Sequence, residues 1–410
     1  MTKSMKNGKT LLMVGSILVF SFLLSAQQQT SDGGYIIAGY SDSYTIGDND
    51  ILVYKLTPDG SKQWRKNFGG EYDDYGRFIQ QTADGGYILC GGTESYVHGS
   101  SGDDTDFLVY KLDAAGQKRW RKNYGGEYYE EAMTIRQTSD GGYILVGTTE
   151  SYVHGTTGDD YDILVYKLNS AGQKQWRRNF GGELDEHGYD ILQTTDGGYA
   201  IIGSTDSYSN GDDDFLIYKL NAAGQKQWRK NFGGIDYDCG HALIQNSDGD
   251  YIAVGFTQTY VHSQPTGEEG DILVYKLNAA GQKQWRKHYG DHHYETANDV
   301  KQTSDGGYVF IGTTGDLVSN PSDFLVNKVD ASGNVQWQKT FGGMEWEVGS
   351  YIWPTGDGGY FLFGDTDSYY HGFYENDFLV YKLDASGNEQ WRKNYGGSGW
   401  EWTGRGQLNL

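Results

Sequence analysis

The chain has 410 residues, of which 61 are glycine, four are proline and 15% are aromatic, and its formal net charge is −22. That charge argues against nucleic acid as a partner, because phosphates demand a basic surface, and against docking on anionic lipid. So much glycine without a three-residue period marks turn-rich β structure, and no amphipathic helical period of useful length follows the N-terminal segment.

At the N-terminus Lys3, Lys6 and Lys9 precede an apolar run from Leu11 to Leu24, closed by Ser25-Ala26-Gln27. A basic stretch, a short apolar core and a small-residue exit predict a secretory signal peptide over residues 1–26. The run is shorter than the ~20 residues of a membrane span. Residues 27–410 are therefore expected outside the cytoplasm (secreted, periplasmic or at the cell surface), with no membrane insertion after cleavage.

From Thr30 onward one phrase recurs. Trp64, Trp120, Trp176, Trp228, Trp285, Trp337 and Trp391 stand 52 to 57 residues apart, each in a setting like Gln-Lys-Gln-Trp-Arg-Lys-Asn-Phe-Gly-Gly. Self-similarity at a fixed period signifies a repeat architecture. In the second copy, 75–82 reads as a first strand and Asp84-Gly85 as a tight turn needing positive φ. Tyr87–Gly91 is a second strand and Asp106–Leu112, with strictly alternating faces, a third. Asp113-Ala-Ala-Gly116 is a turn, and 117–124 is a fourth strand carrying the Trp. Four short antiparallel strands per repeat predict a blade of a β-propeller.

The chain begins with a second strand and ends with Gly397-Ser-Gly-Trp-Glu401-Trp-Thr403, which aligns with Gly70-Glu-Tyr-Asp-Asp74-Tyr-Gly76. The expected fold is thus all-β: a seven-bladed propeller of four-stranded blades over residues 27–410, closed by the C-terminal strand joining the N-terminal blade. Closure removes unpaired strand edges, and a closed ring is expected to be a monomer.

A small-residue first strand, a Gly-Tyr second strand, an Asp-led third strand and an Asp-x-x-Gly turn resemble the bacterial seven-bladed β-propeller repeat of secreted proteins, over nearly the whole mature chain. Asn221-Ala-Ala-Gly-Gln-Lys-Gln-Trp228 is also similar to the tryptophan-docking motif of quinoprotein propellers. With seven copies rather than eight and no adjacent cysteine pair, no quinone or other organic cofactor is expected. Cys90 and Cys239 fall in separate repeats and read as small buried hydrophobes.

The short first-to-second and third-to-fourth turns share one face. The longer second-to-third loops and fourth-to-first connections share the other, where function is expected. Tyr96 and His98, Tyr152 and His154, and Tyr260 and His262 lie in Tyr-Val-His phrases, with Tyr369 and His371 as a relative; such groups stack on sugars or pack between blades. Trp346, Trp353, Trp400 and Trp402 break the tryptophan pattern, and Trp346 and Trp400 join the candidate ligand-binding set.

Each first strand starts with an acid: Asp74, Glu130, Glu186, Asp238, Glu295, Glu347 and Glu401. These form either a ring of charge round the shaft mouth or hydrogen bonds that lock adjacent blades. An Asp opens every third strand, read as an acceptor of backbone N–H groups. The acids upstream, Asp103, Asp104, Asp159 and Asp160, are the candidate calcium ligands. His288, Asp291, His292, His293 and Glu295 cluster in sequence, but adjacent histidines on a strand point to opposite sides. The second-strand glycines, Gly91 and its equivalents, are expected to face the Trp ring. Most lysines and arginines fall in the outer half of the repeat, predicting a basic outer wall.

No nucleophile elbow, zinc-helix motif, phosphate loop or dinucleotide fingerprint occurs. The favoured reading is a non-enzymatic binding scaffold whose acidic, aromatic loop face takes a glycan or an extracellular protein. The alternatives are a polysaccharide-active enzyme with loop-face carboxylates and a purely structural cell-surface protein.

Overall fold

The computed structural model describes residues 29–45, 47–99, 104–155, 160–261, 270–291, 293–315, 321–369 and 376–403. The expected signal peptide, Asp103, Asp159, His262, His292 and His371 lie outside them. All regular structure among the described residues is β: seven four-stranded antiparallel sheets, one per blade.

Blade 2 shows the pattern, with strands Asp74–Gln81, Tyr87–Thr93, Asp106–Leu112 and Lys118–Tyr124 paired in chain order. Its two hairpin turns place Gly85 and Gly116 at φ of 78° and 72°, a region closed to most side chains. A bulge between Gly76 and Phe78 breaks the register of the first strand, and first strands of later blades repeat it. Blade 1 takes Tyr35–Ser41, Asp50–Leu56 and Lys62–Phe68 from the N-terminal part and Glu401–Thr403 from the other end. Gly39 faces Thr403 and Ser41 faces Glu401 in that pairing. The ring is shut as the repeat arithmetic predicts.

In blade 2 the second and third strands are buried along their whole length, because the blade is covered on both faces by its neighbours. One interface packs Ile36, Val53 and Ile51 of blade 1 against Ile79, Leu89, Leu108 and Tyr110 of blade 2. The recurring Trp is the wedge of each joint. Trp64 lies edge-on to Tyr87 of the next blade at 5.9 Å and against Gly116, where a Cβ would meet its ring at 2.8 Å. Cys90 and Cys239 are buried and are not joined in a disulfide.

Two expectations need correction. The second-strand glycine does not face the Trp: a Cβ on Gly91 would stand 1.7 Å from the carbonyl oxygen of Tyr75. It is the first-strand bulge that demands the missing side chain. The third-strand lysines do not join a basic wall either. Lys55, Lys111, Lys167, Lys219, Lys328 and Lys382 are buried, as pairing with the aspartate of the first-to-second turn lets them be. Lys167, for example, reaches Asp140 at 2.9 Å and the carbonyl of Leu168 at 3.0 Å.

Candidate functional site

Antiparallel order places the second-to-third loops and the fourth-to-first connections on one face, and hydrogen bonds stitch them together. The Tyr96 hydroxyl donates to the carbonyl of Gly69 at 2.6 Å, in the connection from blade 1. Tyr152, Tyr260 and Tyr369 do the same to Gly125, Gly233 and Gly342. Each ring is also covered by a fourth-strand guanidinium. Arg121 stands 3.4 Å over Tyr96, Arg177 3.5 Å over Tyr152, Arg286 3.6 Å over Tyr260 and Arg392 3.8 Å over Tyr369. Cation–π stacking on one side and a fixed hydroxyl on the other commit these tyrosines to the joints between blades. His98 and His154 keep half their side chains in solvent while Nδ1 bonds Asp106 and Asp162.

The first-strand acids take the locking arrangement, and all seven are buried. Glu130 accepts from the Gly126 amide at 2.6 Å, the Thr149 hydroxyl at 2.6 Å and the Ser151 amide at 3.1 Å. Each meets the Asp that opens the third strand of the preceding blade. A Cβ on Gly69 would fall 1.8 Å from Asp50 Oδ1 and 2.9 Å from Asp74 Oδ2, so glycine is required where the two carboxyls converge. Burial, with the Asp50 charge adding to it, pushes Asp74 up to about 6. Asp106 accepts from Asn123 at 3.1 Å as well as from the His98 backbone. Asp104 is buried, with Oδ1 on the Thr105 amide at 2.9 Å. Asp160 holds the same place in blade 3, each beside a loop glycine, Gly99 or Gly155.

A second set of polar residues fills the centre of the ring, from first strands whose residues differ between copies. Arg77 in blade 2 bonds Glu131 in blade 3 at 2.7 Å, and Arg136 in blade 3 clasps both oxygens of Asp190 in blade 4 at 2.8 and 3.0 Å. Asp190 accepts from the Leu243 amide of blade 5 at 3.3 Å, and Asp299 of blade 6, paired with Lys301, from the Ile352 amide of blade 7 at 3.1 Å. Asp365 of blade 7 accepts from the Thr403 amide at 2.6 Å, and burial pushes its carboxyl up to about 7. The Tyr351 hydroxyl reaches from blade 7 to the Arg77 carbonyl of blade 2 at 2.9 Å. Sequence reading passed over these residues. Their signal was available: the first strand alone carries unlike, often charged side chains from copy to copy, while second, third and fourth strands repeat almost verbatim.

The fourth-to-first connections differ in another respect. Among the described residues they hold all but Val335 of the large exposed apolar side chains: Tyr128, Leu184, Ile235 at 75% exposure, Met344 at 88%, Trp346 at 43% and Trp400 at 41%. Of the four irregular tryptophans, Trp346 and Trp400 are thus presented outward, Trp402 stacks on Trp400 at 5.8 Å, and Trp353 packs against the core. On the opposite face a recess of about 530 Å³ lies between blades 2 and 3, lined by Asp84, Lys111, Arg119, Trp120, Gln137 and Tyr143 among others. Most of these belong to the recurring pattern.

No family model matches the chain. Over 256 residues, 54% of this chain, it is 22% identical to the regulatory protein FlaEY of Caulobacter vibrioides, a match spanning 27% of that protein's length. Among solved structures it is similar to a protein of unknown function from Bacteroides caccae, at 12% identity and a TM-score of 0.44, covering 77% of this chain and 96% of that one. It is also similar to the WD40 domain of Neurospora crassa Pan2, at 11% identity and a TM-score of 0.48, covering 79% and 86%.

Proposed function

We propose that this chain is an exported, non-enzymatic propeller of the bacterial secreted seven-bladed type, which recognises an extracellular protein through its fourth-to-first connections. The observation that carries the reading is the concentration of exposed Ile235, Met344, Trp346 and Trp400 on one face of an otherwise repetitive scaffold. Tryptophan and methionine are enriched where protein interfaces bury their cores. The aliphatic members favour a protein surface over a sugar, which stacks on flat rings. The non-recurring charges at the centre are paired with one another, which suits a rigid plug better than a reaction site.

The test is capture from the cell-surface fraction by immobilised protein, beside a glycan array. A protein partner retained by the parent and lost with Met344→Ser and Trp346→Ser supports the reading. Saturable glycan binding with no protein captured transfers the role to sugars. Turnover of a polysaccharide abolished by one loop-face carboxylate substitution overturns it.

A further inference from the structure

The connection from blade 5 to blade 6 breaks the glycine pair found in every other copy. Asp291 stands where the others have Gly70, Gly126, Gly182, Gly234, Gly343 and Gly397, and His293 stands where Tyr72 and Tyr128 lie. The first strand of blade 6 starts one residue early, at Tyr294, which forms a parallel bridge with Gly270. The outcome is a cluster found at no other joint among the described residues. One ligand-type atom from each of Asp291, His293 and Glu295 lies within 4.8 Å of the other two.

The ligand atoms of Asp291, His293 and Glu295 converge in space. This removes the objection that neighbouring histidines diverge, because a single His acts with two carboxylates. His293 Nδ1 is 2.6 Å from Asp291 Oδ1, and both side chains are exposed and able to adjust. Glu295 is not: it is 3% exposed, its Oε1 accepts from the Thr314 hydroxyl at 3.3 Å, and its buried carboxyl lies against Asp291. Two carboxyls held this close repel unless a proton or a cation lies between them, and with an imidazole beside them a metal cation is the partner that all three would share.

We propose that Asp291, His293 and Glu295 bind one divalent transition-metal ion, with zinc preferred. An imidazole with two carboxylates suits zinc or its first-row neighbours, whereas calcium takes six to eight oxygens. Ligand atoms on tetrahedral zinc stand roughly 3.3 Å apart, given bonds of about 2.0 Å. The cluster reaches that spacing by rotation of its two exposed members. Three protein ligands leave a coordination position to water, on the same face as Ile235 and Met344. The assignment does not depend on that face binding a partner.

The experiment is equilibrium dialysis and calorimetric titration of the metal-stripped full chain with zinc, manganese and calcium chlorides. One equivalent of zinc is expected to bind, more tightly than manganese, with no comparable uptake of calcium. Asp291→Gly and His293→Tyr each restore a residue that other blades carry at that place, so both should fold. Each should weaken zinc binding by more than about 10-fold, the loss typical of merely disturbing the surroundings of a metal ligand. No zinc uptake by the parent, or equal uptake by parent and both variants, overturns the assignment.

Discussion

Trp391 of blade 7 occupies the place of the side chain that Gly60 of blade 1 lacks. A Cβ on Gly60 would come within 2.6 Å of the indole Cη2, and Gly60 sits at φ 76°, so both close approach and backbone demand glycine. The same wedge seals the other six joints, but this one brings together the two ends of the ring. Trp391 is partly buried, so replacing it with Ala should cost about 2 kcal/mol, less than the ~3–5 kcal/mol of a fully buried Trp, and Gly60→Val a comparable amount. Chemical denaturation checks both. A loss below about 1 kcal/mol for Trp391→Ala would show that the wedge is dispensable.

Closure itself makes a second prediction. Ser41 donates to Glu401 Oε1 at 2.8 Å, and Thr403 supplies two hydrogen bonds to the buried Asp365. Deleting residues 401–410 bares the edge of Tyr35–Ser41 and leaves the Asp365 carboxyl without these donors. Light scattering should reveal association through the open edge, while the intact chain stays monomeric.

The Arg136–Asp190 clasp makes a third. Removing one partner of a buried pair typically costs about 3–5 kcal/mol, because the other charge is stranded, while replacing both with apolar groups is often neutral. Arg136→Met should therefore be strongly destabilising, and Arg136→Met with Asp190→Leu should recover most of the loss. A double variant no better than the single would show that the guanidinium acts through its bond to the Ile191 carbonyl at 2.6 Å instead.

Stability should also depend on pH in a specific direction. Burial raises Asp74 and Asp214 to about 6 and Asp365 and Glu401 to about 7. These groups hold protons in the folded chain that the unfolded chain releases near pH 4, so their contribution falls as pH climbs from about 4 to 7. The turn aspartates behave oppositely. Against the upward push of burial, bonds from lysine, threonine and glycine groups hold Asp84, Asp140, Asp196, Asp305 and Asp357 down to about 2. Their stabilisation is present above pH 4 and lost toward pH 2. Thermal melting should peak near pH 4 and decline toward pH 7. A melting temperature that rises steadily to pH 8 would contradict the buried carboxyl pairs.

The amino-acid sequence by itself determined the number of blades, the four-strand pattern and the partner of the last strand. Those depend on periodicity and turn residues, which are local: Asp84-Gly85 and Gly116 dictate their turns wherever they occur. The tertiary structure alone decided which groups meet between blades. That Lys167 is buried against Asp140, that Gly91 faces a carbonyl rather than an indole, and that Arg136 finds Asp190 all depend on the twist and spacing of neighbouring sheets. A repeat reports what its copies share, so recurring Tyr96 and Tyr152 drew notice as a possible surface and proved to be inter-blade joints. The cluster of Asp291, His293 and Glu295 was visible as letters, but the convergence of its ligand atoms and the burial of Glu295 depend on how that connection folds against its neighbours.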